Sequence, residues 1–278
     1  MNEIARELWR SRSLLYHLTK RDLSVRYKEA LFGFVWALLM PTLIVLGGLL
    51  VRFVMARLTG MPVAATVVES IVVKSIAWAF FVGSVGFATN TLVTNANLIT
   101  KIYFPRSVLP LAAVLANAVD AIVAVAAAVP VIAFLGVPPV SWTLLWVPLV
   151  AVLIFFLVAA VALLCSCGNL FFRDVRYLVQ VVLMFGIFFT PVLFDAGMVG
   201  KDVAALLMLN PLSPLLEGLR LAIFESHNLA FEIANGGRSG LEVWTPWFLV
   251  YSAACSLGGF LFAVVTFHRL QFVFAEYV

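Results

Sequence analysis

The sequence predicts an all-α integral membrane protein. It has six transmembrane helices, an N-terminal amphipathic interface helix, and short re-entrant helices on the outer side between spans 5 and 6. Three observations carry this reading. Of 278 residues, 64% are hydrophobic and 12% charged, with a mean hydropathy of +1.09, whereas a soluble domain is about half apolar and about a quarter charged. The apolar runs are long and continuous, as a spanning helix of about 20 residues requires, and lack the alternation over roughly 10 residues that marks a barrel strand. The basic residues gather on one side of those runs. So much apolar surface exceeds what one core can hold, which makes soluble enzymes, disordered chains and nucleic-acid binders poor fits. A pI near 9.1 reflects cations spread along an apolar chain rather than a basic patch.

The whole chain, 1–278, reads as one membrane domain. Residues 1–29 carry seven Lys/Arg and four Asp/Glu, with no apolar stretch leading to a small-residue cleavage site, so a cleavable signal is not expected. From Ser13 onward Leu14, Leu18 and Val25 form an apolar stripe interrupted by Arg21 at helical spacing. Such an imperfect amphipath suits an interfacial helix whose Arg snorkels toward phosphates or meets a protein partner. Spans 1–5 occupy 31–194, as runs over 31–55, 71–94, 107–135, 142–168 and 177–194. Gly136-Val137-Pro138-Pro139 separates spans 3 and 4 as a tight hairpin, and span 5 is short, interrupted at Thr190-Pro191.

Between spans 2 and 3 the segment Asn95–Arg106 is apolar for a solvated loop. Leu98 with Ile102, and Ile99 with Tyr103, are spaced i,i+4, so a short helix ending before Pro105 presents apolar knobs. Exposed knobs of this kind form a docking surface for another protein; the plain alternative is that span 2 runs on into the cytosol. In mid-span 3 lies Asp120, with Asn117 on the same face. An intramembrane carboxylate here has two readings, an interhelical hydrogen bond or a proton-coupling site. Cys165, Cys167 and Cys255 fall inside spans without paired spacing and read as small packing residues.

The outer loop, 195–245, holds six acidic and three basic residues. Val203–Leu209 is apolar, Asn210-Pro211 turns, and Ser213-Pro214 reads as N-cap and first helical residue. Leu215, Leu216, Leu219 and Ile223 make one face, with Glu217 and Arg220 opposite; Asn235–Gly240 is a flexible tip. Residues 246–278 supply span 6, over 246–267, and a cytoplasmic tail. Twelve basic residues lie on the side of the termini and six on the other or near its span ends, so both termini are expected to be cytoplasmic. The sequence contains no G-x-x-x-x-G-K-[ST], H-E-x-x-H or G-x-S-x-G motif, and its three histidines, His17, His227 and His268, are widely separated. No metal site is expected.

Several stretches occur together in a characteristic order. They are Lys20-Arg21-Asp22-Leu23-Ser24-Val25-Arg26-Tyr27-Lys28, Leu31-Phe32-Gly33-Phe34-Val35-Trp36 with Pro41, and Tyr103-Phe104-Pro105-Arg106 with Pro110. Further on come Asn169–Arg176, Phe188–Phe194, and Asn210-Pro211-Leu212-Ser213-Pro214 with Glu217-Gly218 and Arg220. In this arrangement the chain, from about residue 14 to 225, resembles the permease subunit of ATP-binding-cassette exporters of cell-surface polysaccharides, of the O-antigen or teichoic-acid type.

That resemblance implies a homodimer in the bacterial plasma (inner) membrane, joined by two copies of a separate cytosolic ATPase. ATP and Mg would be bound by the ATPase, with no cofactor in this chain and no nucleic-acid partner. It implies ATPase contact through the interface helix (Lys20, Arg21, Asp22, Arg26, Tyr27) and through Asn97, Leu98, Ile99, Lys101, Ile102, Tyr103, Phe104, Pro105 and Arg106. The substrate would be an undecaprenyl-diphosphate-type lipid-linked glycan, moved through about 30 Å of hydrocarbon. Aromatic rings stack on sugar faces, which makes Trp36, Phe185, Phe188, Phe189 and Phe194 candidates for the glycan path. Arg52 and Lys74, about one turn inside the outer boundary, either snorkel or receive the diphosphate. Two rivals remain: an ion-coupled carrier using Asp120, and a membrane enzyme acting on lipid-linked sugars.

Overall fold

The computed structural model describes residues 11–28, 35–59, 65–101, 104–135, 141–196, 201–233, 244–271 and 274. Among the described residues all regular structure is helical. In chain order the helices are α1 (Arg12–Lys28), α2 (Val35–Thr59), α3 (Ala65–Thr94), α4 (Ala96–Lys101) and α5 (Val108–Leu135). There follow α6 (Trp146–Phe171), α7 (Val175–Gly186), α8 (Lys201–Met208), α9 (Leu212–Phe224) and α10 (Pro246–Leu270). A 3-10 turn, Trp142–Leu145, leads into α6, and another, Ile187–Phe189, extends α7. The expected hairpin at Gly136–Pro139 and the tip at Asn235–Gly240 lie outside the described residues.

Continuous apolar composition makes these helices, because hydrocarbon leaves each backbone polar group only an intrahelical partner. Five of them (α2, α3, α5, the run Trp142–Phe171, and α10) are long and apolar enough to cross a membrane. The fifth run of the sequence gives a shorter rod than 177–194 implied. Its helical part, Val175–Phe189, rises about 23 Å against a hydrocarbon core of about 30 Å. Thr190 is extended, its hydroxyl donates 2.9 Å back to the Gly186 carbonyl, and Asn210 Nδ2 donates 3.1 Å to the Thr190 hydroxyl. The chain therefore breaks where Thr190-Pro191 predicted, and the break is pinned by Asn210, which precedes α9.

One core is shared by α3, α5, α6, α9 and α10, built on residues such as Trp78, Leu92, Val114, Val158, Leu163, Leu216 and Phe267. Small residues let the backbones approach. A Cβ at Gly83 of α3 would meet Asn117 Oδ1 of α5 at 2.7 Å, and one at Gly186 would meet the Trp78 ring at 2.9 Å. By contrast α2 stands at the edge, with only 6% of its spanning window buried. Its outward side, from Leu39 and Leu43 to Leu50 and Leu58, is apolar and exposed, as a surface meeting lipid or another chain must be.

Helices α8 and α9 correct the sequence reading in two ways. First, α9 starts at Leu212, one residue before the expected cap. Pro211 holds the cap position, and Asn210 before it braces the turn: its side-chain oxygen accepts from the Leu212 N–H at 3.2 Å, and its carbonyl accepts from the Ser213 N–H at 2.9 Å. Second, α9 is buried almost all round, Glu217 and Arg220 included. It packs against α3 and α6, so the side carrying Glu217 and Arg220 is enclosed as well as the apolar one. At the break between them α8 and α9 bend by 108°.

Candidate functional site

A half-buried polar cluster, a buried one and the segment around α4 organise the molecule. The first cluster joins α1 to the interior. Arg26 donates to Asp120 Oδ2 on α5, and the Tyr27 hydroxyl donates to Asp120 Oδ1. The same guanidinium donates 3.2 Å to Asn117 Oδ1 and lies 4.2 Å from the centre of the Phe87 ring on α3. Burial, followed by the hydrogen bond to Asp120, raises the Tyr27 phenol well above its ordinary range, so it stays a donor. Arg26 and Tyr27 thus face inward, while Lys20 is exposed. Arg21 pairs with Asp22 at 2.9 Å and reaches Asn95 Oδ1 at 3.2 Å. Of the two readings of Asp120, the interhelical bond is the one the geometry favours. Both oxygens are occupied by donors from α1, an arrangement ill-suited to cycling a proton.

The second cluster was not foreseen. Lys74 of α3 is fully buried, with Nζ 2.8 Å from Asp195 Oδ1 and 2.8 Å from Glu217 Oε2. It also donates 3.3 Å to the Phe194 carbonyl. Arg220 Nε is 2.6 Å from Glu217 Oε1, its Nη1 is 2.5 Å from Glu225 Oε1, and Ser70 donates 2.7 Å to Asp195. Burial alone would push the Asp195 carboxyl up, but Lys74 and then Arg220, with hydrogen bonds from Lys74 and Ser70, bring it down to about 2. Lys74 therefore neither snorkels nor offers its ammonium to a diphosphate, because both neighbouring carboxylates already hold it. The sequence signal was present as an ionisable residue inside a span; its partners lie more than a hundred residues away. Arg52 is half-buried on α2.

The segment between α3 and α5 forms the expected short helix, α4, but only part of it is exposed. Asn97 is exposed and Leu98 half-buried, whereas Ile99 is 3% exposed and belongs to the core, so it is not an outward knob. Ile102, Tyr103 and the Lys101 side chain lie outside the described residues. Phe104, Pro105 and Arg106 are half-buried, and Arg106 donates to the Gln271 carbonyl and lies over the Phe274 ring, tying the segment to the end of α10.

Of the aromatic candidates, Phe185, Phe188 and Phe189 are exposed along α7 and its extension, and Phe194 is half-buried. The Trp36 side chain lies outside the described residues. The three cysteines are free thiols.

Residues 13–224, which include α4, the first cluster and all of the second but Glu225, match the family described as ABC-2 type transporter. Three relatives carry the description O-antigen export system permease protein RfbA. One, from Klebsiella pneumoniae, is 27% identical over 274 residues, 95% of this chain and 94% of its own length. Another, from Myxococcus xanthus, is 30% identical over 237 residues, 82% of this chain and 86% of its own. A further Klebsiella pneumoniae protein is 28% identical over 224 residues, covering 79% and 83%. With its family match running from α1 to the end of α9 on a bundle of apolar helices, this multi-pass membrane chain belongs to the ABC-2 type transporter family.

Proposed function

We propose that this chain is the membrane subunit of an ATP-driven exporter. It moves a lipid-linked polysaccharide, O-antigen-like or teichoic-acid-like and carried on an undecaprenyl-diphosphate-type lipid, from the cytoplasmic to the outer side of the bacterial inner membrane. It acts as a homodimer with two copies of a cytosolic ATP-binding-cassette ATPase, which binds ATP and Mg and performs the hydrolysis. The observation that carries this reading is the nearly end-to-end similarity to relatives described as O-antigen export permeases. It is supported by a sequence without a phosphate-binding P-loop.

In this reading both termini are cytoplasmic. The exposed side of α1, with Lys20 and Arg21, and the outward part of α4 around Asn97 and Leu98 receive the ATPase. The exposed rings of α7 border the glycan path, since aromatic faces bind sugars of many kinds without demanding one stereochemistry. An ion-coupled carrier is disfavoured by the double hold of Arg26 and Tyr27 on Asp120.

The test is reconstitution of the purified chain in vesicles, with and without its ATPase, followed by the appearance of lipid-linked glycan on the far leaflet. Movement is expected only with both proteins and ATP. Robust movement by the lone chain refutes the proposal.

A further inference from the structure

The contacts of α1 are unusual for a helix that only rests on a membrane surface. Asp120 lies twelve residues along α5 from Val108, about 18 Å of helix rise, so the end of α1 engages the middle of a spanning helix. The engagement involves three elements at once. Arg26 and Tyr27 take separate oxygens of one carboxylate on α5, Arg26 also donates to Asn117 on that helix, and its guanidinium covers Phe87 of α3. Asn117 sits in place because Gly83 leaves no side chain in its way, a Cβ there falling 2.7 Å from its oxygen. Earlier on α1, Arg21 donates 3.2 Å to Asn95 Oδ1, and Asn95 Nδ2 in turn donates 2.8 Å to the Thr91 carbonyl near the end of α3. Thus α1 is clasped to the junction leading into α4 at one point and to the core of α5 at another.

Two such attachments define a lever. A force applied where α1 and α4 face the cytosol reaches α5 at its midpoint, not only through the loop at its end. A charge-assisted, two-point contact transmits displacement in either direction, because neither partner leaves without stranding the other in a poorly solvated place. An apolar contact at the same place would be free to slide.

We propose that Arg26, Tyr27, Asp120 and Asn117 form a coupling joint, positioning residues that carry movement of the interface helix into the middle of α5 during export. This rests on the ATP-driven reading above. The experiment uses the full chain with its ATPase in proteoliposomes, comparing wild type with Asp120→Asn, Arg26→Gln, Tyr27→Phe and the exchange variant Arg26→Asp/Asp120→Arg. Four quantities are read: ATPase retained on the permease, ATP hydrolysis, glycan export, and thermal midpoint. Spin labels at Ser24 and Ile122, both exposed, report the distance between α1 and α5 with and without trapped nucleotide.

Asp120→Asn and Arg26→Gln are expected to keep the ATPase bound and hydrolysing while export falls roughly tenfold, the size of an ordinary coupling free energy. The label distance should stay fixed through the cycle in wild type and change in these variants, and the exchange variant should recover part of the export. Full export by Asp120→Asn, or a fall in export matched step for step by lost thermal stability, overturns the joint. Wild type that exports without the ATPase brings down the functional reading itself, and the joint with it; failure of the joint alone is visible only in the variants.

Discussion

Lys74 and Glu217, 143 positions apart in sequence, meet at 2.8 Å with the ammonium fully buried. This contact ties the second span to α9, and Asp195 completes it from the turn after α7. Removing the cation leaves Asp195 and Glu217 in a poorly solvated place with Arg220 as the cation between them. Lys74→Met is therefore expected to destabilise the protein by about 3–5 kcal/mol. Adding Glu217→Gln removes part of the uncompensated charge and should recover some of that loss. Thermal unfolding in detergent checks both, and a single variant as stable as wild type would show that the cluster does not brace the fold.

Asp195 gives the same cluster a pH signature. Its folded-state pKa, about 2, is below the ordinary 3.8, so the unfolded chain binds a proton first as pH falls. The stabilisation is present in full above about pH 4 and is lost as pH drops toward 2; by linkage it amounts to about 2 kcal/mol. Stability measured down from pH 5 should show a slope across this window that Asp195→Asn reduces. An unchanged slope in the variant would assign the acid transition to other carboxyls.

The five long apolar helices, the break at Thr190 and the short helix α4 were legible in the sequence because each depends on local chemistry: apolar run length, a proline, an i,i+4 pair. Asp120 stood out for the same reason, as a lone charge in a greasy run. Its partner did not, since Arg26 is 94 positions away on a helix whose weak amphipathicity reads as surface. Glu217 and Arg220 were legible as the side of α9 opposite its apolar face, but their burial was not. Periodicity shows that a helix has a polar side, but not whether that side meets water or Lys74. Ile99 misled in the opposite sense: an apolar residue in a loop reads as an exposed knob until a core is found beneath it.

That difference within α4 separates docking from folding. Leu98 is half-buried and Ile99 is 3% exposed. A carboxylate at Ile99 enters the core and costs several kcal/mol, so Ile99→Asp should lower the amount of folded protein in the membrane. Leu98→Asp should insert normally yet bind the ATPase more weakly. Equal loss of folded protein in both variants would make α4 a purely structural connector.

Topology has its own check. Glu232 is exposed in the segment between α9 and α10. In a background lacking Cys165, Cys167 and Cys255, Glu232→Cys is expected to react with an impermeant thiol reagent added outside intact cells. Reaction only in inverted vesicles would reverse the orientation and place the termini outside.

The rings of α7 offer the sharpest test of the glycan path. Phe185, Phe188 and Phe189 are 52%, 63% and 69% exposed, so truncating any of them opens no cavity in the chain's own core. The 3–5 kcal/mol (roughly) that a buried Phe→Ala change costs is not expected here, and thermal midpoints should stay close to wild type. Phe194, half-buried beside the Lys74 cluster, is the internal contrast: Phe194→Ala should lower stability first. If the exposed rings line the path, Phe188→Ala and Phe189→Ala should change the export rate, or the resting ion leak that a stacked wall suppresses, while folding is preserved. Rings that face only lipid predict no change in export, leak or stability. Rings buried between two copies of the chain predict weaker dimerisation with monomer stability intact. Export, leak, thermal midpoint and oligomeric state measured on the same four alanine variants separate these cases, and wild-type export from all three exposed-ring variants removes α7 from the glycan path.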